Sequence, residues 1–153
     1  GWNNRRGSRK SRENGKRSGS IMSEQFNLEI VSPERSFIKK NDVTEVVVPA
    51  FEGEMGILKD HISIISFLKP GIIKVNSGNE ENSFYVDDGI VEFKDNILSI
   101  LTSNIFDIKN SDNIKIQEMI KNAESDLSNE KLDDQKRFII SQKVEVLKSL
   151  NSN

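Results

Sequence analysis

Phe26, Leu28 and Ile30 alternate with polar neighbours, the period of a strand with one buried and one wet face. Through residues 26–108 the chain keeps to this period or to short β-branched runs cut by turn residues. Residues 43–48 and 72–75 are denser runs, as expected of strands covered on both faces. The apolar run ending at Pro49 reads as a strand end. Gly53 and Gly56, around Glu54 and Met55, read as a tight exposed turn before Ile57 and Leu58. Ser77-Gly78-Asn79, Asp88-Gly89 and Lys94-Asp95-Asn96 separate the later runs and predict a meander of hairpins. No helix-length crossover interrupts them, so an antiparallel sandwich or small barrel is expected rather than a parallel sheet.

After Asn110 the period changes. Ile116, Met119, Ile120, Ala123 and Leu127 fall at i, i+3, i+4, i+7 and i+11, one face of a helix. Ile140, Val144 and Leu147 form a second row beside Ile139, Val146 and Leu150, leaving Lys136, Arg137, Lys143 and Lys148 to solvent. Residues 128–131 permit only an antiparallel return, which makes an αα-hairpin. Asn110, Ser111 and Asp112 offer N-cap oxygens to its first helix. Two such helices bury too little to stand alone; they need the sandwich, each other or a partner. The expected fold is β plus α, an antiparallel β-sandwich at 22–108 followed by a helical hairpin at 109–153.

Charge separates off the first 21 residues. They hold seven Lys/Arg and one Glu, against 15 basic and 23 acidic residues in the remainder, so +6 faces −8. This leader has almost no apolar side chains to offset its ordering entropy and is expected to be disordered. It has no apolar h-region for a secretory signal, no amphipathic stripe for a transit peptide, and no aromatic interleaving for a nucleic-acid arm. Met22, opening the first patterned segment, suggests a mis-called start, with residues 1–21 a leader that is not native to the protein. Nucleic acid is therefore not an expected partner. No run of 18 apolar residues occurs, so any membrane contact is expected to pass through a partner.

Chemistry is sparse. The chain has no cysteine and one histidine, which excludes disulfides, thiolate sites and histidine-rich metal sites. Glu52 and Glu54 could pair as catalytic or cation-binding carboxylates, but no further ligands follow at calcium-loop spacing, so they read as facing solvent or a partner. Asp87-Asp88-Gly89 reads as turn chemistry. His61 has neither a nucleophilic cysteine nor a Gly-x-Ser-x-Gly elbow beside it, and no phosphate-cradling glycine loop is present. No catalytic residue, metal site or cofactor is expected.

The run VVVPAFEGEMGILKDH, followed by LKPG, resembles the signature of the bacterial-type F-type ATP synthase epsilon subunit. FNLEIVSPER, DDGIVEF and NILSILT match its first strand and closing hairpin, and the resemblance spans residues 26–150. It implies a non-catalytic central-stalk rotor subunit of a proton-transporting ATP synthase. Its sandwich would join the gamma subunit to the c ring, and its hairpin would restrain ATP hydrolysis in the alpha/beta catalytic hexamer. On this resemblance Glu52, Gly53 and Glu54 are the c-ring candidates, and His61 with the adjoining strand face is the gamma candidate. Lys136, Arg137, Lys143 and Lys148 are the candidates for the hexamer. The location implied is the cytoplasmic face of the bacterial inner membrane, peripherally within the complex.

Some relatives of this kind bind regulatory ATP through an I/L-D-x-x-R-A motif. Here Asp112 is present, while Lys115 and Ile116 replace the arginine and alanine; Asp112 and Lys115 are candidates at a degenerate site lacking the guanidinium fork. The competing readings are a free-standing sandwich that senses nucleotide through its hairpin, separable by MgATP titration, and an enzyme using Glu54 and His61, which would need a deep pocket joining them.

Overall fold

The computed structural model describes residues 24–33 and 35–151; the expected leader 1–21 and Met22 lie outside them. The strands are β1 (Phe26–Ser32), β2 (Arg35–Val43), β3 (Glu45–Ala50), β4 (Gly53–Ile57), β5 (Ile64–Leu68), β6 (Gly71–Ser77), β7 (Glu80–Val86), β8 (Gly89–Lys94), β9 (Ile97–Leu101) and β10 (Ile105–Asp107). A 3-10 turn, Ile108–Asn110, leads into α1 (Asn113–Leu127) and α2 (Asp134–Asn151).

Strand order is β10-β7-β6-β3-β5-β8-β9-β1-β2, with β4 on β3. The sheet folds over where β3 leaves β6 for β5, joined there by the Ala50–Leu68 pairing. That divides it into two layers around one apolar core, to which Leu28, Ile30, Val46, Ile73, Val91, Phe93 and Ile100 contribute. At the far edge Lys40 Nζ donates to Ser77 Oγ at 3.3 Å and lies 3.8 Å from Glu80, drawing β2 toward β6 and β7. The expected sandwich and hairpin are both present.

Several local expectations change. Pro49 does not end its strand: β3 continues to Ala50, and Pro49 stands where the neighbouring strand changes, so its missing N–H interrupts no regular ladder. The expected exposed turn at Gly53 to Gly56 is strand β4, paired along β3, and the turn itself is Phe51–Glu52. The meander breaks after β7, because β6 and β10 occupy both its edges and the chain must cross to the other layer before β8 begins. β8 then pairs with β5 and β9. One pairing, β1 with β9, is parallel. Lys74 is exposed in β6, so that strand is not covered on both faces; the buried triplet Phe84, Tyr85 and Val86 in β7 is.

The reason is the hairpin. Phe84 and Val86 point into the sandwich, while Tyr85, on the opposite face of β7, is fully buried against Ile116, Ile120 and Leu147 of the two helices. Phe106 stacks on the Tyr85 ring at 5.1 Å and extends this second core.

Candidate functional site

The β3–β4 tip carries the two carboxylates. Ser66 Oγ lies 2.8 and 3.1 Å from the two carboxylate oxygens of Glu52, which share its single donated proton. That hydrogen bond, and one from Glu52's own backbone, hold its carboxyl below the usual range. Glu54 lies on β4 and is exposed. The motif's second half braces the first: Lys69 N–H donates to Pro49 O at 3.0 Å, and a Cβ on Gly71 would stand 2.5 Å from Pro49 Cβ. Only glycine lets the two segments approach this closely.

His61 follows the other end of β4, so the five residues of that strand, about 16 Å when extended, separate it from the Glu52 turn. The structure does not bring the carboxylates and the imidazole together. The His61 ring meets the edge of Phe93 at 6.1 Å and its Nδ1 bonds Ile62 O at 2.8 Å. Its loop is anchored by a reciprocal pair: Asp60 N–H donates to Asn96 Oδ1 at 2.7 Å, and Asn96 Nδ2 to Asp60 Oδ1 at 3.0 Å.

At the other end of β5, beside the Phe51–Glu52 turn whose Phe51 N–H donates to Phe67 O at 3.0 Å, lies a surface whose residues the sequence pattern does not pick out. Phe67 on β5, Ile90 on β8 and Leu101 on β9 are direct cross-strand neighbours, and they are 60%, 43% and 56% exposed. Ile65 and Ile62 extend the bare surface along β5 toward His61. In β5 one position is inverted: Ser66 is buried between Ile64 and Leu68 and bonds Glu52, while its apolar neighbours Ile65 and Phe67 face outward. That inversion was the available signal. A groove of about 740 Å³ runs between this row and α2, lined among others by Phe67, Ile90, Leu101, Ile139, Ile140 and Lys143. Neither Glu54 nor His61 lines it.

The four hairpin cations are not equally free. Arg137 donates to Leu127 O at 2.8 Å and Asn129 O at 3.1 Å, closing the end of α1, whose last carbonyls lack intrahelical partners. Lys143 Nζ lies 3.3 Å from Asp87 Oδ2 and Lys148 Nζ 3.0 Å from Glu124. Lys136 is exposed. The expectation of four solvent-facing charges therefore holds for Lys136 and for the exposed Lys148, while Arg137 and Lys143 are partly covered because their partners lie on the neighbouring element. Asp112 caps α1, accepting the Ile114 N–H at 2.9 Å, and Lys115 is exposed.

Asp88, the aspartate directly before Gly89, keeps the expected turn role and accepts the Ser103 hydroxyl at 2.6 Å. Asp87 instead accepts from Tyr85 Oη at 2.6 Å, Asn104 Nδ2 at 2.9 Å and Lys143 Nζ at 3.3 Å. Among the described residues no helix is long and apolar enough to cross a membrane.

Residues 25–108 match the family model described as the ATP synthase, Delta/Epsilon chain, beta-sandwich domain. The chain is similar to the ATP synthase epsilon chain of Pelagibacter ubique, 63% identical over 130 residues that cover 85% of this chain and all of the relative. It is also similar to the ATP synthase epsilon chain of Parvibaculum lavamentivorans, 33% identical over 84% of this chain and 97% of the relative. In fold it is similar to a chain of the Euglena gracilis mitochondrial ATP synthase, with a TM-score of 0.66 at 22% identity over 84% of this chain and 80% of that one. A chain from the central stalk and c ring of the Tetrahymena thermophila enzyme gives a TM-score of 0.56 at 15% identity over 82% and 95%.

Proposed function

Because this chain belongs to the ATP synthase epsilon-chain family, non-catalytic subunits of the central stalk, we propose that its sandwich joins gamma to the c ring and that its hairpin restrains ATP hydrolysis. The observation that carries the coupling role is the apolar row Phe67, Ile90 and Leu101, left bare on a sheet whose other face builds the core. A contiguous apolar surface of this kind favours a partner, since its exposure to water is unfavourable. Gamma is the occupant, seated on this row and along β5 toward His61. The c ring meets the charged tip at Glu52, Gly53 and Glu54, where individually weak polar pairs set orientation more than affinity. In the cell the subunit sits peripherally on the cytoplasmic face of the bacterial inner membrane, within a proton-driven complex.

The docked hairpin is the unrestrained state. Arg137, Lys143 and Lys148 are satisfied within the chain here, so with Lys136 they reach acidic surfaces of the catalytic hexamer only once the hairpin leaves β7. Such a brake requires two arrangements close in free energy. Asp112 is engaged as a helix cap, and no ATP ligand or other cofactor enters this reading.

The division into sandwich, 22–108, and hairpin, 109–153, belongs to the same proposal. It is supported by the separation of the two apolar clusters on opposite faces of β7. A chain ending at Asn110 should melt cooperatively as a β domain and assemble into the complex. ATP hydrolysis by that complex should rise by about fivefold or more, the low end of coupling between two sites, with synthesis retained. Hydrolysis no faster than with the full chain would remove the brake from the proposal and leave the coupling role.

A further inference from the structure

We infer that Asp87 is a latch that fastens the hairpin to the sandwich through Lys143, and that breaking this pair frees the hairpin while both units stay folded. Asp87 stands where the chain crosses between the layers, just after β7. Two of its three donors belong to the sandwich end: Tyr85 Oη binds one carboxylate oxygen and Asn104 Nδ2 the other, while the Asp87 N–H donates to Asn104 O at 3.2 Å. Those bonds orient the carboxylate from the sandwich side. Lys143 is the third donor and comes from α2, one turn before the buried Leu147 and hence on the docking face.

The chemistry suits a reversible fastening. The hairpin's buried contact with the sandwich is small, centred on Tyr85, Ile116, Ile120 and Leu147. An apolar residue at position 143 would add adhesion without direction. A lysine instead fixes the register in which α2 settles, because its charge is satisfied in the docked position and rehydrates readily when the hairpin leaves. The side chains of Lys143 and Asp87 remain 28% and 18% exposed, so the attraction is partly screened by solvent and its strength stays moderate. This inference concerns the chain by itself and stands independently of what the hairpin does inside a complex.

The test is amide hydrogen exchange on the full chain, comparing residues 113–151 with strands β6, β8 and β9. Lys143→Gln should raise the opening constant of the hairpin about tenfold, as for loss of one charge-assisted hydrogen bond, with strand protection unchanged. Asp87→Asn should raise it at least as much, since the Tyr85 and Asn104 bonds change with it, and adding Lys143→Gln to Asp87→Asn should raise it little further. Lys143→Arg should restore protection. Raised salt should loosen the parent hairpin but leave Lys143→Gln unaffected. If Asp87→Asn disturbs the β7–β8 crossing, Lys143→Gln decides alone, since its side chain lies on the hairpin. Hairpin exchange within twofold of the parent in Lys143→Gln, or fully additive effects in a folded double variant, would overturn the latch.

Discussion

Replacing Tyr85 by alanine should release the helical hairpin from a sandwich that remains folded. The Tyr85 side chain is fully buried between β7 and both helices, stacks on Phe106, and donates its hydroxyl to Asp87. Deleting a buried aromatic ring typically costs about 3–5 kcal/mol, and here most of that loss falls on the docking contact, because Phe84 and Val86 fill the sandwich from the opposite face. Amides of α1 and α2 should exchange near the rate of a free hairpin while β8 and β9 stay protected. Tyr85→Phe removes only the hydroxyl and should cost about 1 kcal/mol. Burial, and then the hydrogen bond and negative charge of Asp87, push the Tyr85 phenol well above its ordinary value. The contribution is therefore complete below about pH 10, the ordinary tyrosine value, and declines as pH rises beyond it. Unchanged hairpin exchange in Tyr85→Ala would show that the second core is held elsewhere.

Gly89→Ala should damage the sandwich itself. A Cβ at this position would stand 2.4 Å from the Leu101 carbonyl oxygen and 3.4 Å from Leu68 Cδ1, on a residue whose φ is 156°. The obstacle is backbone on the neighbouring strand, so relief requires β8 and β9 to part just where the chain enters the second layer. Overpacking together with strained backbone makes about 3 kcal/mol a reasonable expectation, a fall in Tm of more than about 10 °C for a domain of this size. Gly53→Ala is the control: its φ is 136°, but nothing lies within 4 Å, so the steric part is absent. A Gly89→Ala melt within a few degrees of the parent would mean that the two strands yield easily.

Where burial follows strand or helix period, the sequence is readable. Phe26, Leu28 and Ile30 are buried at every second position, as are Val91 with Phe93 and Leu98 with Ile100; Ile116, Ile120 and Ala123 line one helix face. Where burial is reversed or divided between two cores, it is not. β5, Ile-Ile-Ser-Phe-Leu, is apolar on both faces: Leu68 is buried with Ser66 while Ile65 and Phe67 are exposed, so no alternation tells which face is inward. Tyr85 looks like another core residue of a strand covered on both sides, and only the docked hairpin shows that its face belongs to a second core. β4 begins at a glycine in a segment rich in turn signals, and its pairing is decided by β3 rather than by its own propensity. Pro49 is tolerated because strand partners change around it.

The same contrast runs through the candidate site. Glu52, Glu54, His61 and Asp112 carry recognisable side chains, and their positions follow from the turns and caps around them. Asp87 does not announce itself, since an aspartate ahead of Asp-Gly is ordinary turn chemistry. Its three donors come from β7, the approach to β10, and α2. That convergence is created by tertiary packing, as is the row formed by Phe67, Ile90 and Leu101 on three strands.

The most direct measurement is equilibrium binding of the full chain to purified gamma subunit from the same organism, repeated with Phe67→Asp and with Tyr85→Ala. A one-to-one complex is expected for the parent and for Tyr85→Ala, and affinity should fall at least tenfold, about 1.4 kcal/mol, when a carboxylate interrupts the exposed row in Phe67→Asp. Absence of a complex with the parent, or undiminished binding of a folded Phe67→Asp variant, would contradict the claim that the bare face of β5, β8 and β9 is the grip on gamma.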